Sequence, residues 1–201
     1  MSIFSTNPFE QEEKQPEKKN IFIDLLQVVV ISLSICVVIY LFIATPNEVH
    51  GSSMEPNFFD GEILLTNKFM HLVGNTGLSK IVGDYERGDV VIVDLDNSDE
   101  DLIKRIVAVG GDELLIDNGQ VYVNDELLEE DYLPEGRTTS GDSFIIEDTS
   151  ITVPEGSYLV FGDNRDYSLD SRNSAVGFVE RRQLKGRVFF RFWPLDRLGK
   201  I

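Results

Sequence analysis

Cysteine is nearly absent from this sequence. Its 201 residues include only Cys36, which excludes an internal disulfide and any cysteine-rich zinc site. Histidine is almost as scarce. His50 and His71 are the whole complement, and they have no metal-ligand spacing. The sequence therefore calls for no metal, and nothing in it calls for another cofactor. Basic residues are also few: 18 Lys and Arg stand against 35 Asp and Glu, a formal charge of −17. A nucleic-acid binder needs a basic face to neutralise phosphates, so that class is excluded. The acidity reads as surface solvation. No internal repeat or low-complexity stretch is present, and after residue 44 no long helical period occurs.

One long apolar run is present. Residues 1–20 are polar, contain Pro8 and Pro16 among mixed charges, and read as a disordered tail. From Ile21 to Ala44 the chain reads IFIDLLQVVVISLSICVVIYLFIA. As a helix that run spans roughly 36 Å at about 1.5 Å per residue, and a bilayer core needs about 20 mostly apolar residues. Asp24 and Gln27 lie near its start, within reach of the interface. Ser32 and Ser34 can bond back to the helix backbone, and Cys36 serves there as a small hydrophobe. As a cleaved signal the run fits poorly. A cut after Ala44 would put Phe42 at the −3 position, where a small residue is wanted. The run is read as a retained transmembrane anchor. Lys14, Lys18 and Lys19 precede it, and no Lys or Arg follows until Lys68. The positive-inside bias then keeps the N-terminus cytoplasmic and sends residues 45–201 across the membrane.

Residues 45–201 alternate short apolar runs with Gly, Asp, Asn and Pro. Strands are expected at 61–69, 89–95, 102–109, 113–116, 120–123, 143–146, 157–161 and 187–193. Asp117-Asn118-Gly119 between two of these runs is a tight-hairpin signal. The expected fold is mainly β: an antiparallel barrel or folded pair of sheets following one N-terminal transmembrane helix.

Three segments carry possible chemistry. Gly51-Ser52-Ser53-Met54-Glu55-Pro56 follows the apolar run. A serine on such a turn can present its hydroxyl and a backbone N–H together, as nucleophile and oxyanion donor, although Gly-Ser-Ser is also an ordinary loop. In the run 102–109, strand alternation puts Lys104 on a face with Leu102, Ile106 and Ala108. Either Lys104 snorkels to water, or burial lowers its pKa and leaves a neutral amine able to accept a proton. A nearby arginine would add to that depression. The third segment, 162–172, reads GDNRDYSLDSR. It suits a loop fixed by Arg–Asp pairs or a solvated surface loop. Its arginines and the lack of a closing Glu count against calcium.

Taken together, these residues resemble the bacterial type I signal peptidases. The resemblance rests on an anchor followed by GSSMxP, RGDVV at 87–91, KRIVxxxGD at 104–112 and GDNRDxSxDSR at 162–172. It runs from the anchor to about residue 193. It implies a membrane-bound serine endopeptidase that removes signal peptides from exported preproteins through an acyl-enzyme, with the bilayer as its other partner. It also implies site residues: Ser53 as nucleophile, Lys104 as general base, Ser168 hydrogen-bonded to the lysine, and Asp170 with Arg172 as a bracing ion pair. By the same resemblance, Gly162 and Asp163 would shape the base of the cleft. The oxyanion would rest on the Ser53 backbone N–H, with Ser52 as a further helper. Asn57 departs from the threonine often found after the motif's proline. Related self-cleaving serine–lysine regulators fit less well, because no DNA-binding segment is present and the anchor would be unexplained. A non-catalytic β module would tolerate loss of Ser53.

Overall fold

The structure, a computed structural model, describes residues 21–42, 44–67, 84–95 and 100–201. The chain divides into two units, residues 1–37 and 38–201. His71 and the 1–20 tail lie outside the described residues, as do Lys68 and the end of the 61–69 run.

Helix α1 covers Ile21–Phe42. Its Ile21–Val38 stretch is long and apolar enough to cross a membrane, and none of it is buried against protein. Ser32 Oγ donates to Val29 O at 2.9 Å and Ser34 Oγ to Val30 O at 2.8 Å, which satisfies both hydroxyls within the helix. Ala44, compositionally the last residue of the apolar run, opens the first strand instead.

The second unit is mainly antiparallel β. Its strands are β1 (Ala44–Glu48), β2 (Ile63–Asn67), β3 (Val90–Val93), β4 (Leu102–Val109), β5 (Glu113–Asp117), β6 (Gln120–Val123), β7 (Glu126–Leu127), β8 (Ile151–Thr152), β9 (Ser157–Phe161), β10 (Val179–Glu180), β11 (Leu184–Trp193) and β12 (Gly199–Lys200). The larger sheet runs β1-β2-β11-β3-β4-β9-β10 with β12 beside β11, and the smaller runs β7-β6-β5-β8. Pro46 sits in β1, an end strand of that path, where a missing N–H can be tolerated. The β5–β6 hairpin turns through Asn118 and Gly119, both at positive φ (48° and 77°), as the Asp-Asn-Gly signal predicts.

Strand β9 is buried on both faces. Leu159 and Phe161 join Val107, Ala108, Leu114, Ile116, Val121 and Val123 in a core that binds the two sheets together. Tyr158 and Val160 point the other way, into a core with Val91, Ile106 and Leu184. A third core, of Val49, Met54, Phe58, Leu64, Ile92 and Ile103, lies under the turn that follows β1.

Two expectations from periodicity are corrected. The 143–146 run is not a strand. The Phe144 and Ile145 N–H groups both converge on Arg172 O (2.8 and 3.2 Å), which curls the segment. Ile145 is buried while Ile146 is 62% exposed. On β4 the register shifts between Ile106 and Ala108, so simple alternation ends there. Val107 and Ala108 enter the same core, and Ala108 does not continue the Lys104 face.

Candidate active site

The loop from β1 to β2 is closed at its base by Val49 N–H to Glu62 O (2.8 Å) and Gly61 N–H to Val49 O (2.9 Å). Within it, Glu55 N–H donates to Ser52 O (3.1 Å), and the Asn57 and Phe58 N–H groups donate to Met54 O (3.1 and 2.9 Å). Met54 and Phe58 are sunk into the core. The turn is therefore pinned on both sides of its apex, which fixes the backbone of Ser53. Gly51 adopts φ +76°, a region that side chains disfavour, and its N–H donates to Asp60 Oδ1 at 2.7 Å.

Strand β4, paired with β3 through Val91 opposite Lys104, brings the lysine to this turn. Lys104 is only 2% exposed. Its Nζ donates to Ser53 Oγ at 2.8 Å and to Ile103 O at 2.9 Å. Burial lowers its pKa from the ordinary 10.5 to about 8, against the opposing pull of Asp170 and Asp163. An arginine contribution to that depression is not found. The charges that act on Lys104 are the carboxylates of Asp170 and Asp163.

The 162–172 loop packs against both residues. Asn164 N–H donates to Ser53 O (3.0 Å) and its Nδ2 to Ser52 O (3.1 Å). Asp170 takes both Arg172 Nε (2.8 Å) and Nη2 (2.9 Å), and it also accepts the Gly162 N–H (2.9 Å). Asp163 takes Arg105 Nε (2.9 Å) and Nη2 (2.7 Å). Both are fork-shaped charge-assisted pairs, which fix orientation as well as distance. Gly162 has no room for a side chain. A Cβ there would lie 2.2 Å from Ser168 Oγ and 2.4 Å from Ser53 O.

Ser168 is therefore beside Ser53, but its hydroxyl is not on Lys104. Among the described residues, Ser168 Oγ is buried without a hydrogen-bond partner, and Lys104 Nζ spends its bonds on Ser53 and Ile103. Ser52 is exposed, and its carbonyl is the atom held by the loop. The Ser53 N–H makes no hydrogen bond to another described residue, which leaves a donor beside its own hydroxyl.

Several further residues contribute that were assigned no role from the sequence. Asn57 Nδ2 bridges Tyr132 O (2.7 Å) and Asp163 Oδ2 (2.8 Å). The Arg105 guanidinium lies 4.1 Å over the Tyr132 ring. Arg165 donates to Gly162 O at 3.0 Å and pairs with Glu130. Arg105 and Arg165 stand inside the motifs at 104–112 and 162–172, a signal that could have found them although it does not give their partners. Tyr132 and Glu130 lie in an unpatterned stretch and gave no such sign.

Comparison with known proteins gives the family. Residues 22–193 match the family model described as signal peptidase, peptidase S26. The signal peptidase I of Bacillus licheniformis is 32% identical over 192 residues, covering 94% of this chain and 98% of that protein. Signal peptidase IB of Staphylococcus aureus (strain COL) is 36% identical over 183 residues, covering 83% of this chain and 89% of its own. A solved signal peptidase I from Enterococcus faecalis V583 shares 26% identity, covers 52% of this chain and 97% of its own, and superposes with a TM-score of 0.43.

Proposed function

Because this chain belongs to the signal peptidase family, peptidase S26, and is a serine endopeptidase of the signal peptidase I kind, we propose that Ser53 is its nucleophile and Lys104 its general base. The observation that carries this reading is the 2.8 Å contact between Lys104 Nζ and Ser53 Oγ, made by a lysine that is 2% exposed. Once Lys104 is neutral, the same contact lets Ser53 donate its proton to Nζ. The alkoxide then attacks the scissile carbonyl, and the Ser53 N–H faces the developing oxyanion. Protonated Lys104 returns the proton to the leaving amine. Water, activated by the again neutral lysine, releases the acyl group.

Asp170–Arg172 and Asp163–Arg105 brace the loop that holds Ser53 O, and Ser168 fills the space behind Gly162. The hydroxyl of Ser168, buried without a partner among the described residues, is the group that would orient the lysine after proton transfer. Ser52 contributes by its carbonyl, not its side chain. The substrates are preproteins carrying signal peptides. Helix α1 anchors the enzyme in the bilayer, with residues 1–20 on the cytoplasmic side and residues 45–201 on the other, as the Lys14, Lys18 and Lys19 bias requires.

Ser53→Ala tests the reading. The protein should fold and insert as before and lose precursor cleavage by at least about 10³-fold. Retained cleavage in Ser53→Ala, or its loss in Ser52→Ala alone, would move the nucleophile elsewhere.

A further inference from the structure

Glu62 is 3% exposed and lies at the base of the nucleophile loop. Two guanidiniums converge on it. Arg191 Nε from β11 faces Oε2 at 2.9 Å, as an ion pair without the alignment of a hydrogen bond. Arg197 Nη1, from the short 3-10 turn Leu195–Arg197, bonds Oε1. Each arginine then spends its Nη2 on one and the same backbone atom. Asn57 O accepts from Arg191 at 2.6 Å and from Arg197 at 3.0 Å. Arg191 also lies 5.1 Å over the ring of buried Phe58, and Arg197 lies 4.6 Å over Phe59.

A buried cluster of this kind gives little stability over well-packed apolar residues. Its distinctive product is geometric: two charged donors fixed on a single carbonyl. Asn57 is the residue through which that fixation reaches the site. Its N–H is held by Met54 O (3.1 Å), next to Ser53. Its side chain ties Tyr132 O to Asp163, the carboxylate that holds Arg105 and acts on Lys104. Glu62 keeps the two like-charged guanidiniums together so that both can reach Asn57 O.

We propose that Glu62, Arg191 and Arg197 form a clamp of positioning residues that holds the Asn57 carbonyl and thereby keeps Ser53 Oγ in reach of Lys104 Nζ. The inference rests on the serine–lysine reading above. None of the three touches the reacting atoms; they act through the turn.

The full chain in proteoliposomes, assayed on a synthetic signal-peptide substrate, tests it. Arg197→Met and Glu62→Gln should each lower kcat on the order of 10- to 100-fold, the scale of small misplacements of a reacting group, while KM stays within about threefold. Arg197→Lys, which keeps one donor and the charge, should recover part of the loss. Ile116→Val, in the core beneath the smaller sheet, serves as a destabilised control remote from the clamp. It should lower Tm with kcat unchanged. Arg197 is partly exposed, so its variants fold even if Glu62→Gln does not. The clamp is refuted if the Arg197 variants keep kcat within twofold of the parent, or if kcat falls no more than in the control at equal loss of Tm. Ser53→Ala run alongside separates the two readings: cleavage surviving there overturns the serine–lysine reading, whereas the clamp variants alone bear on positioning.

Discussion

A lysine serves as a base only after it loses a proton, and Lys104 sits where keeping that proton is unfavourable. Its pKa, lowered mainly by burial to about 8, predicts a rising limb in kcat/KM against pH with a midpoint near 8. A flat profile from pH 6 to 10 would refute it. The same burial acts on stability. Because the folded pKa lies below the unfolded one, the charged side chain costs roughly 3 kcal/mol below pH 8. The unfolded chain binds the proton more tightly through the window from about 8 to 10.5, so stability rises with pH there and the penalty is gone above it. Lys104→Met should therefore be inactive yet at least as stable as the parent at neutral pH. Lys104→Arg should be inactive because guanidinium does not release its proton. Gly162 makes a second residue-scale prediction. Gly162→Ala must push its methyl into Ser53 O and Ser168 Oγ. It should lose about 1–3 kcal/mol, as overpacked sites do, and most of its activity. Parent-like cleavage and Tm would show that the loop yields more easily than its hydrogen bonds imply.

Strand β11 departs most from a simple period. Its register shifts between Val188 and Phe190 and again between Arg191 and Trp193. The core takes Leu184 and Val188, and no member of 189–193 is buried. Phe192 and Trp193 are 50% and 48% exposed, beside exposed Leu195 and Leu198. Phe58 is buried, whereas Phe59 is 41% exposed. Exposed aromatics of this kind suit the membrane–water interface. Trp193 is the only tryptophan, so its fluorescence reports on this strand alone. In proteoliposomes it should be quenched by brominated lipid tails. Quenching only by a water-soluble quencher would remove the idea.

For the whole molecule, the smaller sheet and the larger one share the core under β9, so the site is carried on one continuous β unit that begins near the end of α1. The proposed topology puts that unit on the extracytoplasmic side. Protease added outside intact spheroplasts should then digest residues 45–201 and spare the N-terminal tail. Protection of the β unit until lysis would reverse the topology.

What the sequence determined by itself is what depends on near neighbours in the chain. The apolar helix follows from composition, and β4 and β9 follow from short, mainly apolar runs with clear limits. The β5–β6 turn follows from the backbone freedom of Asn118 and Gly119. The motifs around Ser53, Lys104 and residues 162–172 marked where to look for chemistry, through their combined resemblance to the family rather than singly. What only the tertiary structure decided is pairing between distant parts. Ser53 and Lys104 are 51 positions apart, and their contact depends on how β4 passes under the turn after β1. Arg105, Arg165 and Arg172 are chemically alike, yet they choose Asp163, Glu130 and Asp170 respectively. Nothing local encodes that choice, since a fork-shaped pair is settled by where the backbones bring the two groups. The same holds for the 143–146 run: its composition favours a strand, but two of its N–H groups meet one carbonyl of Arg172, and that carbonyl is placed by a loop folded elsewhere.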